Sequence, residues 1–149
     1  MTITSSPPIR VMLVDDHPMV RRGLATILTV FDDLKLVGEA EDGEAAIKLC
    51  AELLPDVILM DMFLPGMDGA AATLAIRQQC PQTQILALTS FKEGKVIKHA
   101  LAAGAIGYLL KDVSADELVR AIRAAHTGRV TLSPAAAQAL VEESNLPPA

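Results

Sequence analysis

The chain has 149 residues, 51% of them apolar and 21% charged, with a net charge of −5. That length holds one domain with a sizeable core, because about 68–70% of the unfolded surface is buried at roughly this size, and the acidic balance argues against a phosphate-backbone binder, whose affinity comes from Lys and Arg. No apolar stretch nears the ~18 residues of a membrane span, and the first residues lack the charged and apolar regions of a signal peptide, so a cytoplasmic protein that engages no membrane is expected.

Residues 1–8, Met1-Thr2-Ile3-Thr4-Ser5-Ser6-Pro7-Pro8, are rich in Ser, Thr and Pro, have no periodicity and read as a disordered leader. A short apolar run at 10–14 then closes on the acid pair Asp15-Asp16, and His17-Pro18 opens a helical pattern over 18–30, with His17 read as a helix N-terminal residue in preference to a ligand or proton shuttle. A second run at 35–40 leads into a helix at 43–53. The third run, at 56–60, ends in Asp61, which has apolar residues on both sides. A carboxylate so placed is costly to bury unless something pairs with it, so either the strand ends there or Asp61 belongs to a site.

Asp68-Gly69 shapes the following loop and starts a helix over 68–79. The run at 84–88 leads into Thr89 and a helix at 93–103, and the run at 106–110 leads into Lys111. The last strong helix, 115–127, has the capping box Ser114 and Glu117 and stops at Gly128. Cys50 and Cys80 are isolated, show no metal-ligand spacing and read as reduced packing thiols. Residues 129–149 read as a linker, with Ser133-Pro134 capping a short helix at 135–143 before the proline-rich exit Asn145-Leu146-Pro147-Pro148-Ala149, of the kind that leads into a second domain.

Continuous apolar runs of this length suit parallel strands buried on both faces. Five strand–helix repeats therefore predict an α/β fold, an open, doubly wound parallel sheet with helices on both faces and right-handed crossovers. Ligands of such sheets collect beyond the carboxyl ends of the strands. Asp15, Asp16, Asp61, Thr89 and Lys111 all fall at or just after such ends, around one crevice. Three close carboxylates repel, and a bound divalent cation keeps all of them ionised. Magnesium suits that donor set, being hard, octahedral and usually held by one or two carboxylates with waters and phosphate oxygens. Taken singly, each residue has an ordinary role open to it: Asp15 or Asp16 as a cap for the helix at Pro18, Asp61 as a strand-ending turn residue, Thr89 as a strand threonine and Lys111 as a solvated lysine. Their joint placement favours a site for magnesium and phosphate chemistry.

Four segments carry a resemblance: Val14-Asp15-Asp16-His17-Pro18, Met60-Asp61-Met62-Phe63-Leu64-Pro65-Gly66-Met67-Asp68-Gly69, Leu88-Thr89-Ser90 and Gly107-Tyr108-Leu109-Leu110-Lys111-Asp112. Together they resemble the receiver domain of two-component response regulators, and the first and last resemble the NarL/FixJ type, over about residues 9–128. The resemblance implies a flavodoxin-like five-stranded sheet of order 2-1-3-4-5. It implies that Asp61 accepts a phosphoryl group from a sensor histidine kinase. It implies that magnesium is held by Asp16 and Asp61, by Asp15 mostly through water, and by the backbone carbonyl of Phe63. Lys111 and Thr89 would contact the phosphoryl oxygens, and Thr89 with Tyr108 would form the switch. The resemblance further implies homodimerisation on phosphorylation, through the fourth helix, fifth strand and fifth helix or through the first and fifth helices. Kinase specificity would lie around Met19, Val20, Arg21 and Leu24, and DNA would be engaged only through a separate C-terminal helix-turn-helix domain of the LuxR type.

Two departures stand out. Asp112 follows Lys111 where many receivers have a proline in a cis peptide bond, and Phe63 and Phe91 stand two residues after Asp61 and Thr89, where polar residues often occur. The two rings are expected to restrict the hydrolytic water and lengthen the life of an aspartyl phosphate. Three rival readings fit the residues less well. A phosphatase of the haloacid dehalogenase type wants an acid where Phe63 stands. A mononucleotide or flavin domain wants a Gly-rich loop where Asp15-Asp16-His17-Pro18 stands. A degenerate receiver that only binds proteins sits poorly with the complete acidic set. The expected protein is thus a switch that catalyses its own modification and turns over no external substrate.

Overall fold

The computed structural model describes residues 7–90 and 93–144. The leader expected over residues 1–8 falls mostly outside that range, as do Phe91 and the proline-rich exit. Six strands and six helices follow in chain order: β1 Ile9–Val14, α1 Pro18–Val30, β2 Leu34–Ala40, α2 Gly43–Leu53, β3 Val57–Met60, α3 Gly69–Gln79, β4 Gln84–Thr89, α4 Gly94–Ala103, β5 Gly107–Leu110, α5 Ala115–His126, β6 Thr131–Leu132 and α6 Pro134–Ser144. The sheet has the order β2-β1-β3-β4-β5-β6, with every adjacent pair parallel.

The apolar runs form central strands because both faces of the sheet are covered. Met12, Val14, Ile58, Met60, Ile85, Ala87 and Tyr108 point to the side of α2, α3, α4 and α6. Val11, Leu13, Val57, Leu59, Leu86, Leu88 and Leu109 point to the side of α1 and α5. All four residues of β3 are buried. At about 1.5–3 kcal/mol for each large apolar side chain, this strand is held firmly enough to carry a carboxylate at its end. Local caps agree: Asp42 accepts from the Ala45 amide at 2.8 Å, Asp68 from Ala71 at 2.7 Å and Ser114 from Glu117 at 3.1 Å. No cis peptide bond occurs among the described residues, so the Lys111–Asp112 bond is trans.

The expected five-stranded sheet is corrected to six. Thr131 and Leu132 pair with Gly107 and Tyr108 and extend the sheet beyond β5. Two residues of intermediate burial give no readable pattern in a sequence. The pairing depends instead on Gly107, where a Cβ would lie 2.3 Å from the Thr131 carbonyl oxygen. Helix α6 begins as expected, with Ser133 Oγ accepting from the Ala136 amide at 3.2 Å, and Ala136 is fully buried in the core. The helix lies across the start of α4, where a Cβ on Gly94 would come within 2.4 Å of Glu143 Cβ.

Candidate functional site

Each candidate side chain is carried one residue beyond a strand by continued parallel pairing. The Asp15 amide donates to the Ala40 carbonyl at 3.1 Å, the Asp61 amide to the Val14 carbonyl at 2.9 Å and the Lys111 amide to the Thr89 carbonyl at 2.8 Å. Asp15, Asp61 and Thr89 are buried, and Asp16 is exposed at the rim. Lys111 Nζ bridges the two buried acids, 2.6 Å from Asp15 Oδ2 and 3.1 Å from Asp61 Oδ2. The other oxygen of Asp61 accepts from the Phe63 amide at 3.1 Å.

His17 is the N-cap of α1 and gives no side-chain cap to it, nor does either acid. Its ring turns into the acidic group, with Nδ1 2.7 Å from Asp15 Oδ1 and 3.2 Å from Asp16 Oδ1. One ligand atom from each of Asp15, Asp16, His17 and Asp61 lies within 4.8 Å of the others. The sequence reading preferred a helix-start role for His17 over that of a ligand or proton shuttle. Its position directly after two acids was the one available signal for the second role.

Thr89 and Tyr108 form a separate contact on neighbouring strands. Both are fully buried and hydrogen-bonded to each other, and burial pushes the Tyr108 phenol up to about 12. The Phe63 ring is about half exposed at the mouth of the crevice. On α1, Met19 stands out into solvent, Val20 and Leu24 are half-buried, and Arg21 turns inward to the loop that carries the acids. Gly69 permits the close approach of α3: its amide donates to the Met62 carbonyl at 3.1 Å, and a Cβ there would meet the Asp61 carbonyl oxygen at 2.1 Å.

The order and position of these groups coincide with a family model. The response regulator receiver domain matches residues 11–123. The chain belongs to that family. The transcriptional regulatory protein LiaR of Bacillus subtilis is 47% identical over 124 residues, which is 83% of this chain and 59% of LiaR. This receiver therefore spans less than two thirds of that relative's length. A two-component response regulator of the LuxR family from Aurantimonas has a TM-score of 0.87 at 40% identity, over 92% of this chain and 98% of that one. The receiver domain of a putative response regulator NarL from Mycobacterium tuberculosis has a TM-score of 0.80 at 40% identity, over 83% of this chain and 100% of that one.

The electrostatics of the receiver are uneven. Burial opposes ionisation of Asp15, but Lys111 and the His17 amide and ring hold its carboxyl below the usual carboxylate range. Asp61 moves the other way, raised by burial and by Asp15 against the pull of the Phe63 amide and Lys111. Lys111 loses by burial and gains more from the two acids, so its ammonium is held above the ordinary lysine value. The clustered carboxylate oxygens of Asp15, Asp16 and Asp61 make a hard donor set that fits magnesium. No helix among the described residues is long and apolar enough to cross a membrane.

Proposed function

We propose that this receiver accepts a phosphoryl group on Asp61 from the phosphohistidine of a sensor kinase and thereby switches a transcriptional output. The observation that carries the reading is the bridge from Lys111 Nζ to Asp15 and Asp61, which joins the carboxyl ends of β1, β3 and β5 across the end of β4. It holds a buried carboxylate beside a cation and leaves the Asp61 oxygen not bonded to the Phe63 amide next to the acidic group.

In the step itself an Asp61 carboxylate oxygen forms the new P–O bond while the P–N bond to the kinase imidazole breaks, and the imidazole leaves with a proton. Phosphoryl transfer asks chiefly for positioning and charge neutralisation. Asp16 and Asp61 directly, Asp15 through water, and the Phe63 carbonyl would hold magnesium, which when bound neutralises charge on the phosphoryl oxygens. Lys111 moves its ammonium from carboxylate to phosphoryl oxygen as the charge transfers. The Thr89 hydroxyl bonds the phosphoryl group, and Tyr108, hydrogen-bonded to Thr89, follows it. The added charge of roughly −1.5 to −2 is enough to bias such a two-state contact.

With β6 seated on β5 and α6 on α4, that side of the receiver is already covered by its own chain. Homodimerisation is accordingly assigned to α1 and α5. Output on DNA runs through a linked helix-turn-helix domain, a reading supported by the description of LiaR as a transcriptional regulator. No external substrate is turned over, since the phosphatase alternative would need a proton donor where the Phe63 side chain stands.

The test is mass spectrometry of the protein with magnesium and acetyl phosphate beside Asp61→Asn. One added phosphate in the parent and none in the variant supports the reading. No addition to a parent that binds magnesium replaces it with a protein-interaction module.

A further inference from the structure

The peptide unit between Asp15 and Asp16 sets where both carboxylates point, and it is held by one side chain. Arg21 Nη1 donates to the Asp15 carbonyl oxygen at 2.5 Å. The same guanidinium reaches the end of β2, with Nε 3.3 Å from Glu39 Oε1 and Nη2 3.3 Å from Glu41 Oε1. Its side chain is 14% exposed, whereas those of Glu39 and Glu41 are 41% and 72% exposed. Ion pairs that open to water are worth little to stability. A planar fork with five donors can nevertheless fix three acceptors in a defined arrangement, which a lysine cannot do.

We infer that Arg21 is a positioning residue for cation binding: it clamps the Asp15–Asp16 peptide to the end of β2 and so orients the two acids toward a divalent ion. This deepens the proposed function and rests on it for the identity of the cation. The inward turn of Arg21 also removes its side chain from the surface on which kinase specificity was expected. Groups that orient metal ligands typically change affinity 10–100-fold when lost, and roughly tenfold is expected here.

The experiment titrates manganese, with its free-ion paramagnetic signal as the readout, into the parent, Arg21→Gln, Arg21→Lys and the pair Glu39→Gln/Glu41→Gln, with magnesium as competitor. Thermal midpoints and the magnesium dependence of acetyl phosphate labelling are measured on the same samples. Arg21→Gln should bind about tenfold more weakly with a nearly unchanged thermal midpoint. Its labelling rate should recover at saturating magnesium, and Arg21→Lys should restore part of the affinity. The glutamate pair should weaken binding less, and it reads the outer half of the clamp even if Arg21→Gln does not fold. Variants that titrate within twofold of the parent overturn the clamp while leaving the phosphoryl reading intact. A parent that binds manganese but takes no phosphate overturns that reading and leaves the clamp to stand on the titration. A parent that binds neither ion overturns both.

Discussion

At the amino ends of β3 and β4 the fully buried polar side chains, Thr83 and Cys50, are neutral and satisfied, and the charged Asp56 and Arg77 beside them are only part-buried. Thr83 Oγ donates to the Pro55 carbonyl at 2.8 Å, the Cys50 thiol faces the Thr83 hydroxyl at 3.9 Å, and the Arg77 guanidinium closes on the Thr83 carbonyl at 2.5 Å. At the carboxyl ends of the same sheet, Asp15, Asp16 and Asp61 share one lysine and one histidine ring. No described buried side-chain oxygen or nitrogen lacks a partner, so the two ends differ in charge rather than in satisfaction. One end is closed and needs nothing further. The other concentrates negative charge that a cation or a proton can relieve, and charge of that kind in a buried site is costly unless it is paired.

The largest expected effect comes from removing the lysine. Lys111→Met leaves two buried carboxylates without their cation and should cost about 3–5 kcal/mol of unfolding free energy at pH 7. Lys111 holds Asp15 below its ordinary value, a stabilisation present above the ordinary carboxylate pKa and lost as pH falls through the lowered one. The penalty in the variant should therefore shrink toward pH 4, where the orphaned acids take up protons, and shrink again with saturating magnesium. Urea unfolding of parent and variant across pH measures both, and a penalty independent of pH and of magnesium breaks the contrast between the two ends.

A smaller effect is expected at the neutral end. Thr83→Val removes the donor to Pro55 and should cost about 1–3 kcal/mol. That cost should be the same from pH 5 to pH 8 and indifferent to magnesium, because the bond removed joins a neutral hydroxyl to a neutral carbonyl. A dependence on either would show that the two ends are coupled.

The smallest effect is chemical. Burial raises the Cys50 thiol to about 12, with Cys80 beside it acting in the same direction. A raised thiol favours the folded state below the ordinary value of 9.0 and loses that contribution as pH climbs from there toward 12. Native protein at pH 8 should resist iodoacetamide at both cysteines and react fully in urea. Rapid alkylation of native protein would mean that this end opens.

Residues whose meaning depends on their position along a strand were legible beforehand. Asp15, Asp61, Thr89 and Lys111 each close an apolar run, and in a sheet covered on both faces such a run stops where the core stops. The five long strands and the first five helices fell within a residue of their expected bounds for the same reason, since strong periodicity and caps mark them. Residues whose meaning depends on which way a loop turns were not legible. His17 starts its helix as expected and also turns its ring to the acids, and Arg21, expected on a docking surface, reaches back to the Asp15 carbonyl. Gly69 was expected to shape its loop, but the 2.1 Å approach to the Asp61 carbonyl is known only once α3 is docked.

By itself, then, the sequence determined a parallel α/β sheet with an acidic crevice at its carboxyl end, because apolar runs and their terminating charges are local facts about the chain. The tertiary structure alone decided that β6 and α6 complete the sheet and cover α4, and that one arginine ties the two acids to the neighbouring strand. Those outcomes turn on close approaches at Gly107 and Gly94 and on a guanidinium that joins the nearby Asp15 carbonyl to Glu39 and Glu41, and apart from that one local bond the contacts are between segments far apart in the chain.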